Sequence, residues 1–185
     1  MFFRKTRIEP LPVTMSAVRM GERVLQIGVD DPAVVSAIAA KVGLSGNAAV
    51  AVAEERDAAR ARASTANAGL LVDVKVTPLA SLPFDSDAFD LVVVHATRGF
   101  IASLDEDARV AAMREWRRVV RNGGRVMTIE PGAVTGIGSV FKQQRMNESY
   151  EAAGGVVTAL QTAGFKPVRV LAEREGYKFA EGVKA

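Results

Sequence analysis

The chain has no cysteine and a single histidine among its 185 residues. Without thiols it has no disulfide framework, thiolate metal site or cysteine nucleophile. One His leaves too few nitrogen ligands for a zinc centre, so no metal is expected. An excess of charge of one sign is lacking too: 24 Lys and Arg stand against 21 Asp and Glu, a net +3. That is too little to call for a nucleic-acid partner. Long apolar runs are missing. No stretch reaches the ~20 residues of a membrane span, and Met1-Phe2-Phe3-Arg4-Lys5 lacks the apolar core of a signal peptide. A cytoplasmic protein is expected. What is present is ordinary: 49% apolar and 24% charged residues suit a soluble globular protein. The length suits one domain, residues 1–185, with a core of useful size.

Glycine is missing where a nucleotide pocket needs it. Glu22 to Asp31 reads Glu-Arg-Val-Leu-Gln-Ile-Gly-Val-Asp-Asp, with Pro32 next. A short apolar strand runs into Gly28 and a helix then starts. That is how a doubly wound α/β domain opens its pocket. The two further glycines that let a ligand press on bare backbone are replaced by Asp30 and Pro32. Asp31 before Pro32 also reads as a helix N-cap, with Pro at the first helical position.

Strands and helices then alternate. Val34, Ile38 and Val42 make one apolar helix face. Ala48–Val52 is an interior strand. Glu54–Ala66 is a helix with acids first and Arg60 and Arg62 later. Leu71–Val76 alternates Val with Asp73 and Lys75, as an edge strand does. Phe89–Val94 is central. Ser103-Leu104-Asp105-Glu106 predicts a capping box before a helix that runs to near Arg121, with Asn122-Gly123-Gly124 as its stop. Arg125–Ile129, Val168–Ala172 and Tyr177–Val183 complete seven strands, the last two as a hairpin around Arg174-Glu175-Gly176. The first 20 residues, with Pro10 and Pro12, predict an irregular arm. Residues 131–149, with Gly132, Gly136 and Gly138, predict a loose lid-like segment. Alternation of this kind predicts a mostly parallel sheet with helices on both faces and the last strand antiparallel. A ligand then belongs beyond the carboxyl ends of the central strands, around Gly28, Val52, Pro78, His95 and Glu130.

Three segments carry a family likeness. They are Leu82-Pro83-Phe84 with Phe89-Asp90-Leu91-Val92-Val93, then Arg118-Val119-Val120-Arg121-Asn122-Gly123-Gly124-Arg125, and Ala163-Gly164-Phe165. In them the chain resembles the class I S-adenosylmethionine-dependent methyltransferases, in particular the quinone-biosynthesis C-methyltransferase branch. The likeness covers about residues 22–184. It implies a Rossmann-like methyltransferase fold, S-adenosylmethionine as cofactor and a small-molecule substrate. The cofactor positions that it implies are Gly28, Val29, Asp30, Val52, Ala53, Pro78, Leu79 and His95. Several depart from the family pattern. Gln26 stands for the strand acid, Asp30 and Pro32 for glycines, Val52 for the ribose-binding acid and Pro78 for the adenine-side acid.

Two readings follow. The chain is a methyltransferase in which His95 is the candidate catalytic base, titrating near neutral pH. Alternatively it is a catalytically silent binding or scaffold protein in which cofactor binding is weak or lost. The short arm leaves the crevice open, and it is expected to be covered either by residues 132–149 folding over it or by a second copy or a partner chain. A nicotinamide-dependent dehydrogenase is a weaker third reading, because the quoted segments do not belong to it.

Overall fold

The computed structural model describes residues 9–132 and 144–185. Most of the proposed lid segment and the first eight residues lie outside the described part. Among the described residues no helix is long and apolar enough to cross a membrane.

Seven strands form one sheet: β1 (Arg23–Ile27), β2 (Asn47–Val52), β3 (Asp73–Val76), β4 (Phe89–His95), β5 (Val120–Pro131), β6 (Val168–Arg174) and β7 (Tyr177–Val183). Their spatial order is β3-β2-β1-β4-β5-β7-β6. β3, β2, β1, β4 and β5 pair in parallel. β7 runs antiparallel to both β5 and β6. The order reverses between β1 and β4, which is where a doubly wound sheet opens its crevice. The expected fold class and edge strand are both observed. β1 and β4 read as continuous apolar runs because both of their faces are covered.

Helices α1 (Leu11–Ser16), α2 (Pro32–Val42) and α3 (Glu55–Asn67) cover one face. The short α4 (Phe100–Ser103), α5 (Glu106–Val119), α6 (Gln144–Ala152) and α7 (Gly155–Thr162) lie on the other. Asp31 caps α2 as expected, its Oδ1 accepting from Ala33 N at 2.8 Å. Val34, Ile38 and Val42 are buried along one side of α2.

Three local expectations are corrected. The arm is not wholly irregular, since α1 buries Leu11 and Val13 against α2. Pro12 sits in its first turn, where a missing N–H costs nothing, and six residues are too few to show a period. The capping box does not form. Ser103 closes α4, and Asp105 caps α5 by accepting from Ala108 N at 2.8 Å. Finally, α5 ends at Val119 rather than at the glycine pair. Val120 already pairs with Phe89, and the next pairing is Leu91 with Arg125. Asn122 to Gly124 is therefore a bulge inside β5. Gly124 is required there, because a Cβ would lie 2.9 Å from Asp90 O.

Candidate functional site

The site is built from four strand ends. Gly28 follows β1 and donates to Ala51 O at 2.9 Å. Val52 closes β2, and Thr77 N donates to its carbonyl at 2.9 Å. Thr77 and Pro78 follow β3. His95 ends β4 with Thr97 and Arg98 just beyond. β1 and β2 pair Ile27 with Ala51, and Val52 ends β2 one residue beyond that pair.

Gly28 is kept for the protein's own packing. Its φ is +80°, and a Cβ there would lie 2.9 Å from the His95 carbonyl oxygen. The turn after it is held by side chains of this chain. Asp30 Oδ2 accepts from Thr97 N at 2.6 Å and from Thr97 Oγ1 at 2.7 Å, bridging the gap between β1 and β4. Arg60 of α3 donates to Val29 O at 3.0 Å and to Asp30 O at 3.1 Å. Arg98 donates to Asp30 O as well, at 3.1 Å. Sequence reasoning missed this clasp. Its only signal is an arginine two turns into an Ala-rich helix.

Val52 is 1% exposed and packs in an apolar cluster with Val29, Val35, Val50 and Ala58. Glu54, the nearest acid, is exposed and pairs with Arg56 at 3.4 Å. Ala53 and Pro78 are exposed, and Leu79 packs partly on the α5-side core.

His95 is corrected. The sequence predicts a base facing the crevice and titrating near neutrality. The ring is 4% exposed, and its Nε2 lies 2.9 Å from Gln26 Oε1. Burial pushes its pKa down to about 4, although the Asp30 and Asp31 charges pull the other way. It is a neutral imidazole across the physiological range. Gln26, at the family's strand-acid position, is fully buried, and its Nε2 donates to Val35 O at 2.9 Å. A Gln inside an apolar strand signals a buried partner, and His95 is that partner.

Glu130 does not join this crevice. His95 pairs with Ile129 in the β4–β5 register, so Glu130 projects from the opposite face of the sheet. There Tyr150 Oη donates to Glu130 Oε1 at 3.1 Å, and among the described residues Oε2 has no partner. Arg109 stacks over the Tyr150 ring, 4.4 Å from its centre. Burial raises the Glu130 pKa to about 7, against the Tyr150 hydrogen bond, which lowers it.

Three arginines of α5 and β5 are spent on structure. Arg118 pairs with Glu115 at 2.8 Å, Arg121 with Asp90 at 2.5 Å and Arg125 with Glu22 at 3.0 Å.

The sheet order and crevice position are those of a methyltransferase fold, and comparison with known proteins agrees. A family described as a methyltransferase domain matches residues 25–128. The chain belongs to that family. It is similar to the ubiquinone/menaquinone biosynthesis C-methyltransferase UbiE of Cupriavidus taiwanensis, with 29% identity over 118 residues. That match covers 64% of this chain and 46% of UbiE, so the chain spans about half of that relative's length. Among solved structures it resembles a SAM-dependent methyltransferase from Aquifex aeolicus. The TM-score there is 0.73 and the identity 17%, over 92% of this chain and 86% of that one. It also resembles the [4+2]-cyclase SpnF, with a TM-score of 0.61 and 19% identity, over 88% of this chain and 56% of that one. Likeness at such identities speaks for the fold alone.

The residues present do not fit the family's cofactor. A ribose diol at the end of β2 needs acceptors, and Val52 supplies none. A ligand in the β1 turn needs free backbone, and the Val29 and Asp30 carbonyls are already bonded to Arg60 and Arg98. The Asp30 side chain bridges to Thr97 across the gap between β1 and β4.

Proposed function

We propose that this chain is a methyltransferase-fold binding protein that is catalytically silent towards S-adenosylmethionine. The observation that carries the reading is the Asp30–Thr97 bridge, made by two hydrogen bonds across the opening between β1 and β4. The loss of a ribose acceptor at Val52 supports it. Each unmet polar group of a ligand costs about 1–3 kcal/mol, so two of them weaken binding roughly 30- to 2 × 10⁴-fold. The buried His95 supports it as well, because burial pushes its pKa down to about 4 and so makes it a weak base. The likeness to a cyclase agrees with a fold that serves more than methyl transfer.

Melting in the presence of the demethylated cofactor tests this. A ligand binding at about 10 µM, present at about 1 mM, stabilises a protein by about 2.7 kcal/mol. In a domain of this size that raises Tm by roughly 5–10 °C. For this chain S-adenosylhomocysteine at that concentration is expected to shift Tm by less than about 1 °C, a limit set well below that response. A rise of several degrees contradicts the reading.

Affinity is expected to return when the closing groups are removed together. In Asp30→Gly/Val52→Asp/Arg60→Ala the turn is bare and an acceptor stands at the end of β2. Two regained hydrogen bonds of about 1 kcal/mol each correspond to a gain of roughly 30-fold. Equilibrium dialysis with labelled S-adenosylmethionine measures it. A folded triple variant that binds no better than the parent shows that the lesion lies elsewhere.

A further inference from the structure

Two consecutive residues of α6 reach two neighbouring strands. Tyr150 Oη donates to Glu130 Oε1 on β5, and Glu151 accepts from Lys178 Nζ on β7 at 2.7 and 3.0 Å. Glu130 and Lys178 stand opposite each other in the β5–β7 ladder. Such a pair shares one face of the sheet, with its Cβ atoms about 5 Å apart. Two adjacent rungs therefore hold α6 to the sheet. Past its end, Gly154 and Gly155 form the joint with α7, small residues of the kind that absorb a hinge movement.

This square of side chains holds two carboxylates and one ammonium. Lys178 spends its charge on Glu151, whose side chain is 47% exposed, and not on Glu130, which is 4% exposed. Among the described residues Glu130 Oε2 has no partner. A neutral carboxyl tolerates that position, whereas a buried carboxylate with a bare oxygen does not. Tyr150 and Arg109 are the other charged or titratable groups that face it. Arg109 is fixed, because it stacks on the Tyr150 ring and donates to the Ile101 and Leu104 carbonyls. α4 and α7 carry no ionisable side chain. Burial and the Glu151 charge keep the proton on Glu130 up to about pH 7, against Tyr150, Lys178 and Arg109. Free in water the same carboxyl titrates near 4.5. Lys178, on its flexible four-carbon stem, is the cation that can change partners. We propose that α6 is a pH-controlled strap. While Glu130 is protonated both rungs hold. When that proton leaves to solvent, the Lys178 ammonium turns from Glu151 to Glu130 Oε2, one rung is lost, and α6 lifts from the end of β5. The strap lies on the opposite face of the sheet from His95 and does not depend on whether S-adenosylmethionine binds.

Hydrogen–deuterium exchange of the full chain tests this. Protection of α6 is compared with that of α2 from about pH 5 to about pH 8, corrected for the chemical exchange rate at each pH. Because the strapped state binds a proton that the released state gives up, α6 protection is expected to fall about tenfold per pH unit up to about pH 7 and to level off above it. α2 is expected to change by less than about fivefold, since His95 and Glu130 offset each other in global stability. Glu130→Gln keeps an acceptor for Tyr150 and removes the titration, so its α6 protection is expected to stay level. Glu151→Gln frees Lys178 for Glu130 and is expected to bring the break down to about pH 6 or below. Level α6 protection in the parent overturns the proposal. So does an equal fall in α2, the same fall in Glu130→Gln, or a break that stays at about pH 7 in Glu151→Gln.

Discussion

His95→Gln and Glu130→Gln are expected to tilt the pH dependence of stability in opposite directions. His95 has a folded pKa of about 4, depressed chiefly by burial. In the unfolded chain it titrates at about 6.5. Its contribution is therefore fully present above about pH 6.5 and is lost as pH falls towards 4. Glu130 is the reverse case. Burial raises it from 4.5 to about 7. Its contribution is fully present below about pH 4.5 and is lost as pH rises through 7. At about 1.4 kcal/mol per unit, each group carries about 3 kcal/mol across its window. The windows overlap between about pH 4.5 and 6.5, and there the slopes cancel. The parent protein is thus expected to be nearly flat in that interval. His95→Gln, whose amide still meets Gln26, leaves Glu130 alone, so stability falls as pH rises from 4.5 to 7. Glu130→Gln leaves His95 alone, so stability falls as pH drops from 6.5 to 4. Asp90 does not interfere. Its burial raises the pKa, but hydrogen bonds from Arg121 and Arg23 outweigh that and hold it at about 2. Urea unfolding at half-unit pH steps measures all three proteins. Parallel curves in parent and variants contradict the assignment.

Gly28→Ala is expected to lower Tm by roughly 5–15 °C. Alanine at φ +80° costs about 1–2 kcal/mol from the left-handed backbone alone. Its Cβ would then stand 2.9 Å from the His95 carbonyl oxygen. That atom is main chain in a central strand and has nowhere to go, so overpacking adds about 1–3 kcal/mol. A domain of this length loses about 2–4 °C per kcal/mol. This outcome separates two reasons for a glycine. If Gly28 served only a ligand's approach, alanine would leave the melting temperature unchanged and act on binding alone. A folded variant that melts within about 2 °C of the parent contradicts the packing role, because the smallest strain assigned to it exceeds that.

The sheet was legible because its signals are local and repeated. Ala48–Val52 is wholly apolar, Val24–Ile27 and Phe89–Val94 are apolar but for Gln26 and Asp90, and Leu71–Val76 alternates with Asp73 and Lys75. Those patterns place three strands inside and one at the edge, as observed. Asp31 before Pro32 gave the α2 start for the same local reason. The site was less legible because its decisive contacts are distant in sequence. Asp30 meets Thr97 across 67 residues, and Arg60 meets Val29 across 31. No period or spacing encodes such a pair. Position at a strand end does not reveal burial, and it is burial that moves the His95 titration away from neutrality. Gln26 in the neighbouring strand held the clue, since a buried amide needs partners. Glu130 was grouped with His95 by position along the chain. The alternation of Ile129 and Glu130 in β5 sends them to opposite faces, and the register pairs Ile129 with His95.

The Asp30 clasp makes a claim about binding that does not depend on any substrate. Calorimetric titration of the parent protein with S-adenosylmethionine at 25 °C, carried to millimolar ligand, measures it directly. The account predicts no saturable heat, or a dissociation constant near or above about 1 mM, which is a site of about 10 µM weakened about a hundredfold, within the range for two lost hydrogen bonds. A one-to-one isotherm with a low-micromolar constant would contradict it and return the chain to the working methyltransferases.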